Sequence, residues 1–406
     1  MIVNSKFWIR IILVNLCVVA LLGTLMRYKI GFVFPHFEQK YLQEAHSHFA
    51  FAGWITQSIY LLILRLFRNN LPSINERMYH WLQMANLVTA YGMLISFTIQ
   101  GYGPVSIAFA TASIVVGYIF SFVAFRDATR LEQSHPSKNW IKAAIFFGIL
   151  STIGTIVLSR MMVTREFDQA TYLGSIYFFL HFQYNGWFMM ACFAIWLDSI
   201  KTALLKTNHT RFAFWAFFLS GIPAYFLSTL WAHIPGWLYV FVVLSAVFQV
   251  IAWWYFVRTM NANKTFISAL YPKLVSWLLI LVSLSLTLKL FLQLASTIPY
   301  VSKLAFSFRP IVIAYLHLVL LLIISVFLLS FLYGTGLLKQ TRATRVALIV
   351  FVTGVILNEV VLATQGIAAF SYTIIPGVNQ VLFGIALILL SGTGLLVASQ
   401  YRKPMQ

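Results

Sequence analysis

The sequence predicts an all-α, polytopic membrane protein built as a bundle of twelve transmembrane helices. Three observations carry that expectation. The 406-residue chain is 61% hydrophobic and only 9% charged, against about 25% charged residues in a soluble domain. Apolar runs recur along it at the length a helix needs to cross a bilayer core, about 20 residues. The segments between runs are too short for a soluble domain, so residues 1–406 read as a single integral membrane domain. Phe, Trp and Tyr make up 17% of the chain, as lipid-facing and interfacial positions require.

Taken in order, the runs cover 7–26, 43–66, 79–99, 104–125, 140–159, 171–197, 212–231, 236–257, 273–294, 310–333, 345–366 and 376–399. The first is long enough to span and lacks a small-residue cleavage site after it, so it reads as a transmembrane helix and not as a signal peptide. Between runs, GYGP (Gly101 to Pro104), IPGW (Ile234 to Trp237) and IPGV (Ile375 to Val378) mark tight external turns. No internal repeat is obvious. Cys17 and Cys192 both lie inside apolar runs, with no CxxC, and read as small core residues.

The formal net charge is +19. On a soluble protein that would point to nucleic acid; here it marks loops on the cytoplasmic side. With twelve spans, 20 of the 28 Lys and Arg fall on the side of the N-terminus, the even loops and the C-terminus. Seven fall on the other side, and Lys289 lies inside the ninth run, close enough to its outer end to snorkel. Both termini are therefore expected to be cytoplasmic, in a multi-pass protein of a bacterial-type cytoplasmic (inner) membrane. The partner this implies is the lipid bilayer, not nucleic acid.

The nine histidines divide. His80, His135 and His209 fall in or beside cytoplasmic loops and read as solvated or at the headgroups, and His36 lies in the first external loop. The other five map to the outer half of the membrane on four separate segments. His46 and His48 open the second run, His181 lies in the sixth, His233 just past the seventh, and His317 in the tenth. Ionisable residues inside a bilayer face the bundle interior and mark function. Imidazole is a common haem and copper ligand, although any one histidine can serve as a helix–helix hydrogen bond. His46 and His48 are two positions apart, about 200° around a helix, so they cannot both face one partner. The sequence alone does not choose, but His48 is the deeper and is the preferred ligand of the two. On the sixth run Tyr177, His181 and Asn185 share one face with Tyr184 beside them, a pattern that suits support of a ligand at His181 or plain interhelical hydrogen bonding. Glu359, beside Asn358 in the eleventh run, is the acidic residue well inside a span and a proton-linked candidate.

This pattern of twelve helices with histidines in the outer half of runs two, six, seven and ten resembles the catalytic subunit (subunit I) of the haem–copper oxidase superfamily. That group includes the large subunit of nitric oxide reductases and NnrS-like relatives. The resemblance covers nearly the whole chain in topology and is partial in motif. It implies a low-spin haem between a histidine of run two, His46 or His48, and His317. It implies an active-site copper with His181, in HFQYNGW, as first ligand. It also implies a respiratory oxidoreductase acting on oxygen or nitric oxide, with quinol or cytochrome c as redox donor. The departures matter. The family's adjacent histidine pair in run seven is absent, leaving the lone His233 in LWAHIPGW. The family's His-x-His in run ten reads Tyr315–Leu316–His317, so the high-spin haem loses its usual ligand. Tyrosinate ligates haem in catalases, which keeps Tyr315 as a cofactor-binding candidate. There is no CxxCH, so the expected haem is non-covalent, most simply b-type. The expectation is a haem b protein with a degraded or modified binuclear centre and an electron-transfer or O2/NO-related role. The alternative is a cofactor-free twelve-helix transporter whose histidines line a substrate or proton path.

Overall fold

The structure, a computed structural model, describes residues 4–201, 209–232 and 234–401. Among these residues it is helical and contains no strand. In lipid every backbone N–H and C=O must be satisfied within the segment, which the helix achieves. Apart from two short helices, Lys264–Leu270 and Pro299–Ser307, the helices are α1 (Ser5–Gly31), α2 (Gln39–Asn70), α3 (Glu76–Gln100), α4 (Pro104–Arg130) and α5 (Lys138–Thr164). Next come α6 (169–199) and α7 (His209–Gly221, continuing as a 3-10 helix Pro223–Thr229). They are followed by α8 (Gly236–Ala262), α9 (Lys273–Ala295), α10 (Arg309–Gly334), α11 (Arg342–Phe370) and α12 (Val378–Tyr401).

Among the described residues, ten helices are long and apolar enough to cross a bilayer. Thr210–Gly221 and Pro223–Thr229 pass that test only as a pair, bent by 47°. The straight span expected over 212–231 is therefore broken, because Pro223 has no N–H to give to the helical ladder. Helix α6 is helical throughout but is not among the ten; Gln183, Tyr184 and Asn185 interrupt its apolar run. Side chains such as Ile99, Phe122, Leu219, Trp277 and Leu284 stand exposed on the outer helix faces, as lipid contact requires.

Helix starts are set by short polar side chains that take up orphan N–H groups. Asn4 accepts from Phe7 N (3.2 Å), Asn75 from Met78 N (3.1 Å), Asp168 from Thr171 N (2.7 Å) and Thr341 from Thr344 N (3.2 Å). Two of the glycine turns use positive φ, Gly101 at 58° and Gly377 at 73°, a region open to glycine at little cost. Gly236 instead begins α8 directly.

The described chain forms two compact units, residues 1–123 with 328–406, and residues 124–327. In the first, α2 packs on α3 through Ala45, Phe49, Ala52, Ala90, Met93 and Phe97. Helices α11 and α12 come together where Gly392 lies under the Phe351 backbone; a Cβ there would sit 2.7 Å from Phe351 N. In the second, α5 and α6 meet at Gly154, where a Cβ would fall 2.5 Å from the Ser175 carbonyl oxygen. Ser137 Oγ also donates to the Ala194 carbonyl across that pair (2.7 Å). The 3-10 segment packs Ala224 and Leu227 on Val242 and Ala246 of α8.

Candidate functional site

Three helices change their winding just after a histidine. In α2 a π-helical stretch, Ala50–Thr56, follows His48; in α6 the stretch Phe182–Phe188 follows His181; in α10 Leu318–Ser325 follows His317. Among the described residues π-helix occurs in these three places alone. A π-turn is costly and is found chiefly where a site needs it. It also frees carbonyls from the regular ladder, and in α2 these are taken up by neighbours. Asn15 Nδ2 of α1 donates to the Gly53 carbonyl (2.6 Å), and Asn86 Nδ2 of α3 donates to the Ala52 carbonyl (3.0 Å). Asn86 also donates to Gln57 Oε1, Gln57 Nε2 donates to the Gln83 carbonyl (3.0 Å), and Tyr91 OH donates to Asn15 Oδ1 (3.0 Å). Asn15, Gln57 and Asn86 are fully or nearly fully buried, and satisfied buried amides of this kind fix a conformation.

Within the first unit the two histidines of α2 turn to different neighbours, as their spacing requires. His46 lies over Gly23 of α1, and its Nδ1–H donates to the Val19 carbonyl (3.1 Å). His48 stacks on Phe97 of α3 with ring centroids 4.3 Å apart, and its Nε2 meets Tyr102 OH (3.1 Å). Glu359 on α11 accepts from Asn358 Nδ2 (3.2 Å).

Within the second unit His181 is buried, and both ring nitrogens are engaged. Nε2–H donates to the Gly221 carbonyl (2.9 Å), and Nδ1 accepts from Asn185 Nδ2 (3.1 Å). The first bond follows from the break in α7. There the Tyr225 N–H bonds the Ile222 carbonyl (3.2 Å), and the Gly221 carbonyl turns to His181. The i, i+4 pairing of His181 with Asn185 is the one the sequence offers. Tyr177 lies on the same helix, partly buried. Tyr184 is buried and meets Tyr315 edge-on, ring centroids 6.4 Å apart. His317 donates from Nδ1–H to the Ile313 carbonyl one turn back (2.8 Å). His233 lies outside the described residues. The His135 side chain is enclosed, with Nε2 3.4 Å from Asp198 Oδ1.

Lys289 does not snorkel. It is 3% exposed and lines a small cavity with His181, Asn185 and Gln249.

No family model and no curated protein matches this chain. Among the described residues no group of three or more His, Cys, Asp or Glu stands together as a metal site.

The tautomers separate the histidines by chemistry. A ligating histidine donates one ring N–H to a carbonyl or carboxylate and offers its other nitrogen to the metal. His46 and His317 each have one half of that form: a carbonyl can only accept, so Nδ1 carries the proton. Taken one at a time, each suits a haem ligand in its tautomer. His181 has its lone pair on Nδ1, and Asn185 already uses it. With a lysine lining the same cavity and no carboxylate or thiol among the cavity residues, this donor set does not fit copper.

One signal for these residues stands in the sequence without having been read. His48-Phe-Ala-Phe-Ala-Gly-Trp54 and His181-Phe-Gln-Tyr-Asn-Gly-Trp187 are two copies of one pattern, His-Phe-x-aromatic-x-Gly-Trp. Each copy overlaps one π stretch. The third stretch, after His317, keeps the histidine and loses the rest.

Proposed function

We propose that this chain is a haem-binding integral membrane protein of the haem–copper oxidase type, carrying b-type haem in an electron-transfer or O2/NO-related redox role. Its twelve-span topology counts the bent pair around Pro223 as one span and residues 169–199 as another. The observation that carries the reading is the coincidence of histidine and π-turn on α2, α6 and α10, joined to the carbonyl-anchored Nδ1 of His46 and His317. Haem, when bound, supplies a reversible one-electron couple. The residues of this chain bind and orient it: Ile313 holds the His317 ring in one tautomer, and Val19 does the same for His46. Of the two histidines on α2, His46 is the proposed ligand. At His181 the proposal departs from the family: the copper ligand of the resemblance is here a hydrogen-bonded structural histidine.

The test is an absorption spectrum of the purified protein, oxidised and then dithionite-reduced, with a pyridine haemochrome assay. The expected result is about one b-type haem per chain, with the reduced band lost in His317→Ala and in His46→Ala and retained in His48→Ala. Two haems per chain would restore a complete reductase. A protein made with haem available that shows no Soret band would reject the reading and favour the cofactor-free transporter.

A further inference from the structure

The second unit buries a lysine for which the haem reading has no use. Lys289 of α9 and Gln249 of α8 are 3% and 6% exposed, and both line the cavity beside His181. Neither makes a hydrogen bond to the rest of the described protein. The Asn185 amide oxygen in the same wall is buried without a donor. The cavity measures about 20 Å³, room for one water-sized particle and not for a phosphate or a carboxylate ligand.

Its residues include no acid. The nearest acids along the chain of this unit are committed elsewhere: Asp127 to Arg126 and Arg130, Asp198 to Lys201 and His135. Asp168 caps α6, and Glu166 is exposed at its start. The other walls are apolar, among them Phe147, Phe193 and Leu286. An isolated ammonium in such surroundings is far costlier than a paired one. Amide groups supply hydrogen bonds but no counter-charge.

We infer that the cavity between α6, α8 and α9 is a binding site for one small monovalent anion of chloride's size, held by the Lys289 ammonium and the Gln249 side-chain amide. The small volume sets the selectivity, admitting a halide and excluding sulfate, gluconate and lipid headgroups.

The experiment uses the full chain in detergent, exchanged from chloride into gluconate or sulfate at fixed ionic strength. Bound halide is counted by ion chromatography after acid denaturation, and thermal unfolding is followed as chloride is returned. The expected result is about one chloride per chain before the exchange, none after it, and a saturable rise in Tm as chloride is returned, since a ligand that binds only the folded state stabilises it. Lys289→Met is expected to retain no chloride and to show the same Tm in all three salts. Gln249→Leu keeps the charge and is expected to respond to chloride with at least about tenfold weaker affinity. Wild type that holds no halide and has the same Tm in chloride and gluconate would overturn the inference, leaving an uncharged amine or a bound water. A Gln249→Leu protein with unchanged affinity would overturn the placement. Haem content is read separately, so a chain without haem can still pass or fail this test.

Discussion

Gly154→Ala isolates how closely α5 and α6 are packed. An added Cβ would lie 2.5 Å from the Ser175 carbonyl oxygen and 2.9 Å from Phe179 N. Both are backbone atoms, so no side chain can rotate away. Ordinary contact begins at 3.4 Å, so the helices must part by roughly 0.9 Å at this point. Replacing a helical glycine by alanine gains about 0.5–1 kcal/mol in helix propensity. Forcing a methyl group into a packed interface costs about 1–3 kcal/mol, and a clash with backbone belongs at the upper end. The net expectation is a loss of about 2 kcal/mol. Gly384 on α12 is the control: a Cβ there meets nothing within 4 Å, so Gly384→Ala should be neutral or stabilising by a few tenths to about 1 kcal/mol. The assay is reversible unfolding in mixed detergent followed by circular dichroism. Phe179 stands two residues before His181, so the same variant should loosen the His181–Gly221 hydrogen bond, read as faster amide exchange around residue 181. If Gly154→Ala proves as stable as Gly384→Ala, the close approach of α5 and α6 is wrong.

Asn185→Leu leaves the His181 Nδ1 lone pair buried without a donor and should cost about 1–3 kcal/mol, measured by the same unfolding titration. Asn86→Leu strips the Ala52 carbonyl and Gln57 of a partner, with a loss of similar size. It should also perturb any haem spectrum assigned to His46, whereas Ser137→Ala, which removes one buried bond to Ala194, should cost about 1 kcal/mol and leave that spectrum alone. Asp168 accepts from the Thr171 hydroxyl and N–H, which hold its carboxyl below the ordinary value of 3.8. A carboxyl lowered on folding stabilises above its unfolded value and loses that contribution as pH falls through the folded one. Protection of the amides in the first turn of α6, relative to their intrinsic exchange rates, should therefore fall below about pH 4, and Asp168→Asn should remove that fall.

The helical, membrane-embedded class was legible because it rests on composition and run length alone. The break at Pro223 was legible in principle, since a proline inside an apolar run removes a ladder bond, but the run on either side is apolar enough to hide it. The π stretches were not legible from periodicity: one extra residue per turn leaves hydropathy unchanged, and only aligning the sequence on His48 and His181 exposes the shared pattern. Asn15, Gln57 and Asn86 look like scattered polar residues until the carbonyls they serve are placed. Lys289 misled for a simple reason. Its distance from the end of α9 allows an escape to the interface, whereas its rotation about the helix axis, which the sequence does not give, turns it inward. The sequence supplied the His181–Asn185 pairing and could not supply Gly221, forty residues away on a broken helix.

The π stretches make these helices sensitive to length in a way that side-chain chemistry is not. Removing one residue from 50–56, 182–188 or 318–325 would let the ordinary α ladder close. It would also swing the preceding half-helix by about 100° relative to the half that follows. In α6 that swing would carry His181 off the Gly221 carbonyl while every apolar residue stayed apolar. Substitutions in these stretches are thus graded changes, and single deletions are changes of phase. A lineage can drift through the former, but it crosses the latter only by rebuilding the site on a different face.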